Sequence, residues 1–520
     1  MNKSIIMIAS ENDALIGGKV GGVGDVVRSL PRALTLLGWN CTVIIPSYGF
    51  LHERNPSSLL TEVAFPFYGQ QSKAGIWRVE GKEPNDGVTN YVIEHAGIRG
   101  EPMYFDDPPE SPFMRDATKY AMFCSAVGQF LPMLDPPDII HLHDWHAATY
   151  LLLRDLHPRF SELARFRTVF TIHNIAIQGT RPMMGHGSSV EAWFPELFKK
   201  PEWIAKWSDP RYEEPCYSPM LAGIRYSDAV NTVSPTYAEE ILQPSNPPRG
   251  YYGGEGLEQS LQEAKKSNRL FGILNGCDYP PQPPADLMSF NELLNLFAEE
   301  VSAWQSKRQD DPVHKTSLKR IDEMKGLAPS FIMTSVGRIV DQKMRLLFEK
   351  SDQGHVIDGI LEILNTHNGA CIILGSGDAA YEKALAERTD RYPRLLFLKG
   401  YSDKIARSLY ASGTMFLMPS SFEPCGISQM IAMREGQPCI VHAVGGLKDT
   451  VRHRVNGFTF SGETPSEQAN GFIQAVGEAV TTCVGHRDEW ERVAASAKQA
   501  RFTWEASAAQ YAKIYSKNIP

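Results

Sequence analysis

The sequence predicts an α/β protein made of two successive halves, each built on a mainly parallel sheet. Three observations carry this reading. Short apolar runs of strand length alternate with stretches of helical periodicity. The alternation restarts near residue 330. Polar clusters stand at the carboxyl ends of the apolar runs, where open α/β sheets bind ligands. At 520 residues the chain is also longer than one hydrophobic core normally organises.

IIMIA (5–9) and CTVIIP (41–46) read as buried strands. Between them a glycine-rich loop leads into DVVRSLPRALTLLG (25–38), which has helical spacing and ends on Gly38. The three pieces make a βαβ unit. PDIIHLHD (137–144), RTVFTIHN (167–174) and SDAVNTVS (227–234) are further strands with polar ends. In the second half, strands are expected at SFIMTSVGR (330–338), ACIILGSGD (370–378), RLLFLKGY (394–401), TMFLMPS (414–420) and CIVHAVGG (439–446). Residues 279–325 open on PPQPP and turn charged and helical, which reads as an insertion or linker-adjacent region. FTWEASAAQYAKIYSKN (502–518) is an amphipathic helix with Trp504, Ala508, Tyr511 and Tyr515 on one face. The expected domains are 1–271 and 272–501, with 502–520 packing back on the first.

Bulk properties exclude several classes. A net charge of -8 argues against a protein that binds nucleic acid through its overall field. The eight cysteines are scattered without C-x-x-C spacing, so they carry no zinc or redox signature and suit a reducing compartment. Only five apolar residues in a row precede Ser10, too few for a signal-peptide core, and no run approaches a membrane span. A cytoplasmic, membrane-free protein is the expectation.

Five clusters carry candidate chemistry. GGKVGGVGDVV (17–27) follows a strand and opens a helix, so its backbone amides and Lys19 can approach an anion. Its glycines are too closely spaced for a dinucleotide fingerprint, and a plain tight turn is the simpler alternative. HLHDWH (141–146) holds three histidines and Asp144 but no acid at a standard zinc position. Asp144, and His173 in TIHN, are better read as partners for substrate hydroxyls. GRIVDQK (337–343) sets Arg338 and Lys343 after a strand, where two cations can hold a diphosphate, although a solvated basic turn is the simpler alternative for an isolated pair. GSGD (375–378) reads as a tight turn. SSFEPCG (420–426) ends a buried strand with Glu423, and an ionised carboxylate there must be solvated, paired or in use.

Taken in order, KVGGVGDVVRSLPRAL, PDIIHLHDWHAA, VFTIHNIAIQG, YSDAVNTVSPTYAEEI, GILNGCDY, GRIVDQK, ILGSGD, MPSSFEPCGISQMIAMREG and VGGLKDTV resemble the bacterial glycogen synthase and plant starch synthase family, from about Ile5 to Tyr515. The resemblance implies the GT-B fold, two Rossmann-like domains facing across a deep cleft. It also implies transfer of glucose from ADP-glucose, or UDP-glucose in some members, to the non-reducing end of an α-1,4-glucan with retained configuration. By the same likeness Lys19 and the Gly21–Gly22 backbone approach the diphosphate and donor glucose, and Asp144 and His173 face the glucose. Arg338 and Lys343 grip the leaving diphosphate. Asn275 and Tyr401 lie near the nucleotide, with Tyr401 a stacking partner for the base. Glu423 and the backbone of Cys425, Gly426 and Ile427 hold the donor sugar. The family needs no metal or other cofactor for its chemistry.

The sequence departs from the family pattern at Ile177 (usually Tyr), Leu221 (Lys or Arg), Met344 (Gly), Ser421 (Arg), Glu435 (Tyr) and Val444 (Thr). The ENDALIGG loop is about two residues longer than usual. The W-N-P string after GILNGCDY is missing. Two alternatives follow: a glycosyltransferase of the same fold acting on an oligosaccharide or cell-surface glycan, or a weakly active glucan-binding regulator. A phosphorylase is disfavoured, because nothing resembles its pyridoxal-phosphate lysine region.

Overall fold

The computed structural model describes residues 3–83, 86–279, 287–307, 311–352 and 354–516. They fall into two units. The first comprises Met1–Ser245, Gly253–Asp278 and Thr503–Pro520, and the second Asn246–Tyr252 and Tyr279–Phe502. The division therefore falls after Asp278 rather than at 271, which puts Asn275 in the first unit.

The strands of the first unit are β1 (Lys3–Ile8), β2 (Trp39–Pro46), β3 (Ser57–Phe67), β4 (Gln70–Val79), β5 (Val88–Glu94), β6 (Ile139–His143), β7 (Arg167–Ile172), β8 (Arg181–Pro182), β9 (Cys216–Tyr217), β10 (Ala229–Thr232) and β11 (Leu270–Gly272). Nine of them form one sheet in the order β11-β10-β7-β6-β1-β2-β5-β4-β3, and β8 pairs with β9 separately. All neighbours from β11 to β5 run parallel, while β4 and β3 are added antiparallel. Sequence reasoning did not find β3, β4 or β5. β3 is a half-exposed edge strand carrying Pro66, so it lacks the continuous apolar run of the buried parallel strands.

From β1 the chain passes to β2 on one side and later to β6 on the other, so the strand order reverses between β1 and β6. That is where a doubly wound sheet opens a crevice at its carboxyl edge. The helix Trp504–Ser516 packs on this unit, burying Trp504, Ala508, Tyr511, Ile514 and Tyr515 against Val26, Leu30 and Trp39. Each large apolar side chain there contributes about 2 kcal/mol by leaving water.

The second unit contains β12 (Phe331–Val336), β13 (Lys350–Ser351), β14 (Gly354–His355), β15 (Gly369–Gly375), β16 (Leu395–Lys399), β17 (Met415–Met418), β18 (Cys439–His442) and β19 (Gly457–Phe460). Six form a parallel sheet in the order β16-β15-β12-β17-β18-β19. Its strands are buried on both faces. In β15, Cys371 and Ile373 enter one core while Ala370, Ile372 and Leu374 enter the other, and β16 alternates likewise. Such strands read as unbroken apolar runs, which is why they were visible in the sequence. The order reverses between β12 and β17.

The described part of the region around 279–325 is helical, as expected, and contributes to a core. Its helices Phe290–Lys307 and Pro312–Met324 supply Leu293, Leu294, Leu296, Phe297, Val301, Ile321 and Met324 to a core of the second unit. The PPQPP string itself lies outside the described residues. Among the described residues no helix is long and apolar enough to cross a membrane.

Candidate functional site

Each unit gathers its polar clusters at its own point of strand reversal. In the second unit, β12 delivers Arg338 and the helix Asp341–Phe348, while β17 delivers the loop Ser420–Gly426. Because β12 and β17 are neighbours, groups about eighty residues apart meet. Lys343 Nζ lies 2.6 Å from Glu423 Oε2, and the Ser420 hydroxyl donates to the same oxygen at 2.9 Å. Glu423 is buried, and this pair neutralises it. Arg338 is exposed and makes no ion pair or hydrogen bond with the described residues, so its guanidinium is available.

Backbone contacts lock the two loops together. The Ser421 amide and hydroxyl both reach the Gln342 carbonyl, at 2.8 and 3.0 Å, and Gln342 Nε2 donates back to the Phe422 carbonyl at 3.0 Å. His442 holds the Ser421 carbonyl at 3.1 Å. Ser421 is therefore a small residue filling a crowded, buried position. Met344, the second departure nearby, packs into the core under the same helix.

Beyond Glu423 the chain turns at Gly426, whose φ of +75° suits glycine, and enters the helix Ser428–Glu435, which has no side-chain cap. Gly446 lies so close that an added Cβ would sit 2.3 Å from the Cys425 carbonyl oxygen. Cys425 is buried, and Ile427 is half-buried at the helix entrance. Tyr401 is 64% exposed, with its hydroxyl donating to Asp403 at 2.8 Å. Of the other departures, Glu435 pairs with Arg434 at 2.8 Å, Leu221 is buried and Ile177 is 44% exposed. Val444 precedes the helix Gly445–Thr450, which has no side-chain cap.

In the first unit the loop after β1 carries Glu11, which sequence reasoning missed although it is an acid just past a buried strand, the same signal that singled out Glu423. Its Oε2 accepts the amides of Val20 at 2.7 Å and Gly21 at 2.6 Å, and its Oε1 accepts the Tyr104 hydroxyl at 2.6 Å. Glu11 thus supplies negative charge at the start of the helix Gly22–Thr35, which has no side-chain cap of its own. The Gly21 amide is already committed to Glu11, whereas Gly22 faces open space. Lys19 pairs with Asp25 at 2.5 Å and stays 40% exposed. Burial works against its charge, but Asp25, with Asp13 and Glu11 behind it, holds its pKa above the ordinary range.

Asp144 sits at the end of β6 with φ of +57°, a left-handed conformation that costs a non-glycine residue energy. Its carboxylate accepts the His173 amide at 2.8 Å, which ties β6 to β7. Burial pushes its pKa up to about 7, against the stabilising amide contacts. Period-two alternation points His141 and His143 to one face of β6. His143 Nδ1 lies 3.0 Å from His173 Nε2. His141 bonds Thr171 at 2.7 Å and the Tyr515 hydroxyl at 2.9 Å. Burial lowers the pKa of His141 and of His173 to about 3, and of His143 well below the ordinary value. All three are neutral near pH 7. His146 lies outside this series, stacked on Trp145 and edge-on to Tyr120. Asn275 is buried, and its Oδ1 has no partner among the described residues.

The structure thus brings Lys343, Glu423 and Ser420 together in one unit, and Asp144 and His173 in the other. Comparison with known proteins identifies the family. The family model for the starch synthase catalytic domain matches residues 4–263, and that for glycosyl transferases group 1 matches 331–479. A glycogen synthase of Gloeobacter violaceus is 32% identical over 511 residues, with 96% of each chain covered. One of Desulfitobacterium hafniense is 32% identical over 517 residues, again with 96% of each covered. Among solved structures, the catalytic domain of starch synthase IV from Arabidopsis thaliana, bound to ADP and acarbose, superposes with a TM-score of 0.75 at 25% identity, covering 100% of both chains. A sucrose-phosphate synthase from Thermosynechococcus elongatus shares the fold at a TM-score of 0.55 and 16% identity, with 99% of this chain and 98% of that one covered. The architecture is that of the GT-B glycosyltransferases, and the chain belongs to the glycogen synthase and starch synthase family as a glucosyltransferase of that type.

Proposed function

We propose that the chain transfers glucose from ADP-glucose to the non-reducing end of an α-1,4-glucan with retention at the anomeric carbon. The observation that carries this reading is the Lys343–Glu423–Ser420 cluster at the strand reversal of the second unit, with Arg338, exposed and without a partner among the described residues, beside it in sequence. Arg338 and Lys343 bind the diphosphate and neutralise it as it leaves. Glu423 and the backbone at Cys425–Ile427 hold the glucose hydroxyls, and the carboxylate steadies positive charge growing at C1. Asp144 and His173 bind the sugar from the first unit, with Lys19 and the Gly22 backbone directed to the donor. Asn275 and Tyr401 serve the nucleotide, Tyr401 by stacking on the base.

The acceptor 4-hydroxyl attacks C1 on the face the diphosphate leaves. The C1–O bond to phosphate breaks as the new C–O bond forms, and the acceptor proton passes to the departing phosphate oxygen. ADP is released. Position and electrostatics supply the rate, and no metal or other cofactor takes part. The solved relative with ADP and acarbose bound supports a nucleotide and a glucan-like ligand on this scaffold.

The test is incorporation of labelled glucose into glycogen, with ADP-glucose and UDP-glucose side by side. Chain growth with ADP-glucose, slower with UDP-glucose, is expected. Equal or faster growth with UDP-glucose overturns the donor assignment. Release of nucleoside diphosphate without incorporation overturns the acceptor assignment.

A further inference from the structure

Among the described residues, His143 is the one side chain that hydrogen-bonds the His173 ring. His143 Nδ1 and His173 Nε2 are 3.0 Å apart, so one nitrogen must carry the proton and the other the lone pair. The far nitrogen of His143, Nε2, is enclosed and has no partner among the described residues. This decides between the two arrangements. If His173 donated, His143 would carry its own proton on Nε2, leaving a buried N–H without an acceptor. If His143 donates, only a lone pair is left over. An orphaned buried donor is the rarer and costlier outcome.

The rest of the layer holds His143 in place. Its ring packs against His141 in a tilted arrangement, with centroids 4.1 Å apart and planes at 33°. Both nitrogens of His141 are taken, by Thr171 and by Tyr515 of the C-terminal helix. Both members of the His143–His173 pair are neutral, because burial depresses their pKa. His173 Nδ1 has no partner among the described residues and, unlike His143 Nε2, is not among the enclosed atoms.

We propose that His143 is a positioning residue: its Nδ1–H donates to His173 Nε2, fixing His173 as the Nδ1–H tautomer and reserving that N–H for a sugar oxygen. His173 is then a neutral hydrogen-bond donor to the glucose rather than a proton shuttle. The step that uses this N–H rests on the transfer reaction proposed above, whereas the tautomer does not.

The first test is therefore spectroscopic and needs no turnover. Nitrogen NMR of the full chain with labelled histidine, with the His173 signals identified by their loss in His173→Asn, reads which ring nitrogen carries hydrogen. A protonated Nδ1 and bare Nε2 on His173 are expected, and the reverse pattern overturns the proposal. The second test compares His143→Phe, which removes the donor, with His143→Asn, whose amide can replace it. With ADP-glucose and glycogen, His143→Phe is expected to lower kcat roughly tenfold, about the worth of one hydrogen bond, with little change in KM for glycogen. His173 in that variant should show mixed tautomers, and His143→Asn should recover most of both properties. Wild-type kcat and an unchanged tautomer in His143→Phe would overturn it. If His143→Phe does not fold, the wild-type spectrum still decides. If the chain proves inactive with ADP-glucose, the transfer reading fails while the tautomer remains measurable.

Discussion

Lys343 Nζ and Glu423 Oε2 stand 2.6 Å apart across the β12–β17 strand reversal, and Ser420 completes the carboxylate's hydrogen bonding on the same oxygen. Under the proposed function, this cation neutralises Glu423 before the donor binds and the diphosphate as it leaves, which couples the two halves of donor recognition.

Removing that acid tests the coupling. Glu423→Ala should lower the rate of transfer at least about a hundredfold, the scale of losing a preorganised electrostatic contact. The fold should persist, because Lys343 keeps partial access to water, with a side chain 18% exposed. Transfer assays and thermal melts check the two halves together. Near-wild-type turnover would end the role given to Glu423.

Glu11 offers a different prediction. It satisfies the amides of Val20 and Gly21 and the Tyr104 hydroxyl at once. Glu11→Ala removes the acceptor of the Val20 and Gly21 amides, while Tyr104 keeps Ser10 at 2.9 Å, and should cost about 1–2 kcal/mol in chemical denaturation. It should also raise KM for the sugar nucleotide, because the Lys19 loop loses its anchor.

Gly446 tests the backbone of the donor loop. A Cβ there would lie 2.3 Å from the Cys425 carbonyl oxygen, and backbone cannot move aside as a side chain can. Gly446→Ala should destabilise the protein by about 1–3 kcal/mol and weaken donor binding. Denaturation midpoints and sugar-nucleotide titration read both effects.

The histidine layer makes stability sensitive to acid. His141 and His173 are lowered to about 3, and His143 and His146 well below their ordinary 6.5. Each contributes stability that is present above 6.5 and lost as the pH falls towards its folded value. Asp144 has the opposite sign. Its pKa is raised from 3.8 to about 7, so its contribution is present below 3.8 and lost as the pH rises through about 7. Between 6.5 and about 4 the four histidines outweigh the one aspartate. Stability should fall with acid by roughly 1.4 kcal/mol per pH unit for each net proton taken up on unfolding. Asp144→Asn should remove this opposing contribution, so that stability falls more steeply with acid between 6.5 and about 4 and no longer falls between 6.5 and about 7. Melting curves across this range decide it.

Much of this protein was determined by its sequence alone. The ten strands read from apolar runs all exist, because parallel strands buried on both faces must be apolar throughout. The order of motifs carried the family. Asp144, His173, Arg338, Lys343 and Glu423 stood out because polar groups at the ends of buried strands have to be paired or used. The antiparallel strands β3 and β4 escaped, since edge strands with one wet face carry a weaker signal. Tertiary structure alone decided which polar groups meet. Strand order brought Lys343 to Glu423 and left Arg338 exposed, turned Glu11 onto the Gly21 amide, and aligned Tyr515, His141, His143 and His173 in one layer. Those contacts join residues tens to hundreds of positions apart. No local periodicity records them, because they are fixed by sheet order and by the shared need of buried donors and acceptors for partners.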